Sequence, residues 1–138
     1  MSPGSGFTSY GQQLVKEMRA MLVNVRYATG NEAQYLNYHH ARGVTRFWGN
    51  SPTDTDVLLH EDANDAAVYE EYLHVLRGQA RGWTAPGSSD ALIEEIQVGR
   101  QVLAHAGKLQ LTSIEHANIQ RTIASYISAL VKMGIPIP

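Results

Sequence analysis

Cysteine is absent from the 138 residues, which excludes a disulfide scaffold, a thiolate metal site and a cysteine nucleophile. Charge is scarce as well. Asp, Glu, Lys and Arg make up 17% of the chain, against roughly a quarter in ordinary soluble domains. The formal net charge is −2 and the sequence pI about 6.3, a balance that argues against a general nucleic-acid binder. No apolar run approaches the ~20 residues of a membrane-spanning helix. The first residues, Met1 to Phe7, show neither a basic stretch nor an apolar one, so no cleavable secretory signal or Arg-rich transit segment is read there. What is plentiful is apolar side chain, at 43%, enough for a core in a chain of one-domain length. A full apolar complement with little charge implies that a partner covers part of the surface.

Glycine punctuates the chain. Gly30, Gly49, Gly78, Gly107 and Gly134 each follow an apolar-periodic stretch, where a left-handed C-terminal cap would place them. Start signals lie between them, at Ser9, Asn31, Asn64 and Ser88-Ser89-Asp90. Thr112 with Glu115 reads as a capping box. The pattern predicts helices at roughly 10–28, 32–47, 64–77, 90–106 and 113–133. No alternating strand pattern competes with them. At about 100° per residue, Tyr10, Leu14, Met18, Met21, Leu22 and Val25 share a face, as do Ile119, Ile123, Tyr126, Ile127 and Leu130. Leu92, Ile96, Val102, Leu103 and Ala106 cluster likewise, with Gly99 permitting a close neighbour. Stripes of this kind need one another for burial. The expectation is a single all-α domain, a compact bundle of about four to five helices with a flexible N-terminal arm at residues 1–9 and an extended tail at residues 134–138.

The first chemical candidate is Glu71-Tyr72-Leu73-His74, a carboxylate and an imidazole one turn apart, as in di-iron bundles. If Val68, Tyr72, Val75 and Leu76 define the buried face, Glu70 and His74 turn to the polar side, and the pair reads as solvated. His39-His40 diverge by about 100°. His60-Glu61-Asp62 suits a helix N-terminus electrostatically, and neither cluster has metal-ligand spacing. His116 reads as an edge-of-core residue and His105 as a polar-side one. There is no nucleophile elbow, phosphate-binding glycine loop or zinc-protease helix motif. Gly78-Gln79-Ala80-Arg81-Gly82 reads as a helix-terminating linker. No cofactor and no catalytic residue follow.

Two features remain. Lys16, Arg19 and Arg26 align as a narrow basic strip beside the apolar face of the first helix, suited to docking an acidic partner. The ending, from Ala129 to Pro138, places Ile135 and Ile137 on a segment stiffened by proline, an apolar tail suited to packing on its own bundle or on a partner.

Several short elements, in order, resemble the LYR-motif superfamily of small mitochondrial helical proteins, closest to its ATP synthase assembly-factor group. Leu14 to Arg19 occupies the place of the leucine-tyrosine-arginine motif, with Val15 for the tyrosine and Lys16 at the basic position. Arg46-Phe47 is similar to the family's arginine–phenylalanine element. Ala67 to Arg77 resembles its third helix, and Ser128 to Pro136 its glycine-aliphatic-proline ending. The resemblance implies a non-catalytic docking protein, an assembly factor or accessory subunit of a mitochondrial membrane complex on the matrix side, with ATP synthase the first guess. Its partners would be protein subunits, held by Lys16, Arg19, Arg26, Arg46, Phe47, Ile135 and Ile137, with Arg42 beside them. If an acyl carrier protein binds, the acyl chain would enter along Leu14, Met18, Met21 and Leu22, where methionine suits an adaptable pocket. The alternatives are a ring-forming virion or scaffold adaptor, and a carboxylate–histidine metal protein assembled across a dimer interface.

Overall fold

A computed structural model describes residues 6–49, 51–82, 84–85 and 87–138. The order of elements is α1 (Ser9–Ala20), β1 (Asn24–Tyr27), α2 (Asn31–Tyr38), β2 (Gly43–Phe47), β3 (Thr55–Leu59), α3 (Asp65–Arg81), α4 (Ser89–Ala104) and α5 (Ser113–Met133). The expected all-α bundle is therefore corrected: the chain is mixed, with a three-stranded sheet. It divides into two compact units, residues 1–83 and 84–138, where a single helical domain is expected. The division falls between α3 and α4, in the segment 82–88.

The sheet has the order β1-β3-β2. β1 runs parallel to β3 with Val25 opposite Val57, and β2 runs antiparallel with Thr45 opposite Val57. Successive side chains alternate between faces. Val25, Tyr27, Thr45, Phe47, Val57 and Leu59 therefore share one face, and α1 and α3 pack on it. Arg26, Val44, Arg46, Asp56 and Leu58 share the other. There Leu58 meets Ala28 and the fully buried Leu36 of α2, with Ala33, Ala41 and Val44 around them. Val57, Leu58 and Leu59 are each at most 2% exposed, so the central strand is buried on both faces.

Two expected helices end early, and for one reason. In α1 the amide of Leu22 donates to Arg19 O at 2.9 Å and that of Val23 to Met18 O at 3.1 Å. In α2 His40 N donates to Asn37 O at 3.1 Å and Ala41 N to Leu36 O at 2.8 Å. Both are Schellman closures, whose residue past the C-cap is left-handed and usually glycine. Here it is Leu22, with φ 67°, and His40, with φ 52°, so the stop carries no glycine. Asn24 to Tyr27 and Gly43 to Phe47, expected to continue helices, form β1 and β2 beyond these stops. Gly78, expected to terminate a helix, lies inside α3 against the ring of Phe47.

The N-terminal arm is expected at residues 1–9, and its residues 1–5 lie outside the described residues. The rest is tied down. Thr8 donates to Asp65 from its backbone nitrogen at 2.8 Å and from its hydroxyl at 2.5 Å, while capping α1. The Asp65 carboxylate is buried and sits over Gly11, where an added Cβ would lie 2.5 Å from Oδ1 and 2.6 Å from Phe7 Cβ.

The second unit matches its expected elements closely. α5 spans Ser113–Met133 behind the Thr112–Glu115 capping box, and Gly134 ends it in the left-handed region. Ile96, Ile123 and Leu130 form its core. Ile123 lies on Gly99, where a Cβ would come within 2.9 Å of it. The tail folds back on its own helices. Ile135 packs on that core, Arg100 Nη1 donates to Pro138 O at 2.7 Å, and Ile137 is 39% exposed.

Two substitutions in the first unit test this description by urea unfolding. Leu22→Gly relieves a left-handed leucine that is 67% exposed, and is expected to stabilise the protein by about 1 kcal/mol. Gly11→Ala forces Asp65 and Phe7 apart and is expected to destabilise it by about 1–3 kcal/mol.

Candidate functional site

α3 starts at Asn64, whose side chain accepts from Ala67 N, and it is buried round most of its circumference. Ala66, Ala67, Val68, Tyr69, Leu73 and Val75 are buried apolar residues, and Glu71 and His74 are buried with them at 5% and 9% exposure. Leu76, expected on the buried face, is 38% exposed. The expectation of a solvated Glu–His pair is thus corrected. It placed Tyr72 and Leu76 on the buried face, whereas the exposed positions of this helix are Leu76, Gln79, Ala80 and Arg81, and burial takes in Glu71 and His74.

β2 positions Glu71. Thr45 Oγ1 donates to Glu71 Oε1 at 3.0 Å. The missing side chain at Gly43 leaves the room, since a Cβ there would lie 2.9 Å from Glu71 Cγ and 3.1 Å from Oε2. One residue back, Glu70 lies a helical turn from His74, on the same side of α3. A Glu70 carboxylate oxygen and a His74 ring nitrogen lie within 4.8 Å of each other, a separation that one ion can bridge. The unit thus presents two potential ligands at i and i+4 with a second carboxylate between them, fixed by a hydroxyl on the neighbouring strand. Gly43 and Thr45 fall within the helix expected at 32–47, so the sequence pattern does not point to them. Val44, Thr45 and Phe47 are β-branched or aromatic and favour a strand by propensity, but the run is too short and shows no alternation that would set it apart from helix.

The basic strip is reshaped. Lys16 and Arg19 lie on α1, but Arg26 lies on β1. All three still line one cleft of about 240 Å³, together with Phe7, Gln12, Val15, Val25, Tyr27 and Leu59. Arg19 Nη2 donates to Val25 O at 2.9 Å. Arg26 grips Glu32 with two hydrogen bonds of 2.5 and 2.6 Å. Arg46 pairs with Asp56 at 2.6 Å and reaches Glu32 at 3.4 Å, with its guanidinium 5.3 Å from the Trp48 ring. Two of the expected docking cations therefore close an internal ion ladder across the α2 face of the sheet. Arg42 pairs with Asp62 at 3.4 Å, in the loops. Phe47 is turned toward α3, against Gly78. Leu14 and Met18 are core residues at 4% and 0% exposure, Met21 is half-buried, and Leu22 points outward. The expected acyl-chain residues thus divide between core and surface, and Val15 is the apolar α1 residue that faces the cleft.

Three of the other histidines, His39, His60 and His105, are engaged locally. His39 lies 4.5 Å from the Tyr35 ring and 5.1 Å from that of Tyr38. His60 Nε2 meets Asn37 Oδ1 at 2.7 Å, and His105 Nδ1 meets Gln101 O at 2.9 Å. Burial pushes the Tyr27 phenol up, against the pull of Arg19, so the cleft holds a neutral hydroxyl at pH 7.

No family model, curated protein or solved structure matches the chain. The elements behind the LYR-motif resemblance are distributed over both secondary-structure classes, with Leu14 to Arg19 on α1 and Arg46-Phe47 on β2. Among the described residues, no helix is long and apolar enough to cross a membrane.

The ion ladder gives a pH prediction. The hydrogen bonds from Arg26 hold the Glu32 carboxyl below its ordinary value of 4.5. A depressed carboxylate contributes stability that is complete above the unfolded value and is lost as pH falls through the folded one. Wild type and Glu32→Gln are expected to differ by a constant stability above pH 4.5, and the gap should close at lower pH and shrink in high salt. Urea unfolding across that range checks it.

Proposed function

We propose that α3 carries a metal centre that activates water for hydrolysis, with Glu70 and His74 as ligands and Glu71 as general base. The observation behind this reading is the pairing of the Glu70 and His74 donor atoms within 4.8 Å on a helix whose intervening glutamate is buried and held by Thr45. The zinc-protease helix places two histidines at i and i+4 and the base at i+1. Glu70-Glu71-Tyr72-Leu73-His74 has the same spacing, with glutamate replacing the first histidine. Zinc accepts carboxylate oxygen alongside imidazole nitrogen, and a catalytic site keeps one position for water. Remaining protein coordination would come from a donor outside this pair. Bound zinc would lower the pKa of that water toward neutrality, and Glu71 would take its proton. Thr45 orients the carboxylate, as outer partners do in metal sites.

This reading keeps the carboxylate–histidine chemistry of the dimer-interface alternative but draws both ligands from a single helix. The docking reading loses its helical bundle to the sheet and part of its cationic strip to the ion ladder. It retains the cleft beside α1.

Metal analysis of protein purified in the presence of zinc tests the proposal. About one equivalent per chain is expected for wild type and for Glu71→Gln, with His74→Ala retaining little. Peptide and ester substrates supply the activity readout, on which Glu71→Gln is expected to lose at least about a hundredfold. Full zinc retention by His74→Ala overturns the ligand assignment, and unchanged activity of Glu71→Gln overturns that of the base.

A further inference from the structure

The cleft beside α1 is not used by the metal reading. It lies at the carboxyl ends of the parallel neighbours β1 and β3, with Arg26, Tyr27 and Leu59 on its wall. In open α/β sheets, ligands enter at the carboxyl ends of strands. Three chemical surfaces meet there. The first is cationic. Arg26 is balanced by Glu32, and Arg19 is tethered to a carbonyl that leaves its charge unbalanced. Lys16 is exposed, and no carboxylate among the described residues forms an ion pair with it. The second is aromatic. Phe7 and Tyr27 are stacked, with ring centroids 6.3 Å apart and planes inclined by 18°, a near-parallel aromatic pair held from two separate segments. The third is aliphatic, from Val15, Val25 and Leu59.

We infer that this cleft binds a small organic anion, a flat apolar body carrying one phosphate or carboxylate group. Lys16 and Arg19 receive the anionic group, Gln12 stands beside it as a neutral donor, and the flat body lies along Phe7 and Tyr27. Size agrees with this. A cavity of about 150 Å³ accommodates benzene, so 240 Å³ accommodates one ring with its anionic substituent. Arginine held by a second contact is pre-organised for an anion, and the tether from Arg19 to Val25 O provides that contact. A phosphate and a carboxylate present the same acceptor oxygens to these cations, and they differ in charge and in the number of oxygens offered.

The test uses the full chain and follows backbone amide signals of Gln12, Lys16 and Tyr27 by NMR during titration. The probes are phenyl phosphate, benzoate, benzyl alcohol and inorganic phosphate. Phenyl phosphate, benzoate or both are expected to shift these signals saturably, and the tighter of the two identifies the anionic group. Inorganic phosphate is expected to bind at least about tenfold more weakly than phenyl phosphate, and benzyl alcohol not at all. Lys16→Gln changes an exposed side chain and is expected to weaken the better probe about tenfold, close to 1.4 kcal/mol. Tyr27→Leu is expected to remove the preference for the aromatic probe over its bare anion. The inference is overturned if neither aromatic anion binds, if benzyl alcohol binds as well as they do, if inorganic phosphate matches phenyl phosphate, or if Lys16→Gln binds like wild type.

Discussion

Burial of β3 on both faces is the constraint from which the first unit follows. Val57 and Leu59 need cover on one side and Leu58 on the other, so helices must occupy both faces of a sheet only three strands wide. α1 and α3 satisfy the first requirement and α2 the second. Asp56, on the α2 face of the same strand, is 13% exposed in its side chain and needs cationic partners there. Arg46 and Arg26 converge on it from the two flanking strands, with Glu32 closing the group from α2. One buried strand thereby determines where both arginines go. It also leaves the edge of β1 open beside Lys16 and Arg19.

The same packing gives α3 its chemistry. A helix that covered the sheet with one stripe would leave Glu71 and His74 in water. α3 is buried further round than that, and polar side chains enter its environment. A buried carboxylate is costly unless it is paired. β2 meets part of that requirement with the Thr45 hydroxyl and the bare backbone of Gly43. The result is a glutamate whose position is defined by a neighbouring strand and by the helix that carries it, one residue from a pair of donor atoms on the same helix.

Much of the helical architecture was legible in the residues. The Thr112–Glu115 box, the Asn64 and Ser88 caps, the left-handed Gly134 and the close approach at Gly99 all stand where local chemistry places them, because capping is a contest among neighbouring groups in sequence. The sheet was not legible. Its strands are four or five residues long, too short for period two to stand out from period 3.6. The helix stops before β1 and β2 use Leu22 and His40 in place of glycine. Their left-handed conformation costs roughly 1–2 kcal/mol, and strand pairing and burial beyond the turn offset it. No single residue announces a stop of that kind. The candidate site was half visible. Glu71 and His74 stood out as chemistry, but the hydroxyl that holds Glu71 belongs to Thr45, on a strand where the local pattern predicts helix.

By itself the sequence determined the composition-level exclusions, the position of α3 and the bounds of α5, and the presence of a carboxylate–imidazole pair on one helix. These depend on residue type and on contacts within about four positions. The tertiary structure decided that Val25, Val44 and Val57 belong to strands, and that His74 is buried. It also decided that Arg26 and Arg46 spend their charge internally while Lys16 and Arg19 face a cleft, and that Ile135 packs on its own helices. Those outcomes are set by partners outside the local helical turn, such as Glu32, six residues from Arg26, and Asp56, 32 residues from Asn24 between β3 and β1. The scarcity of charge follows from the same cause, since a strand covered on both faces and a helix buried most of the way round leave few positions where a charged side chain reaches water.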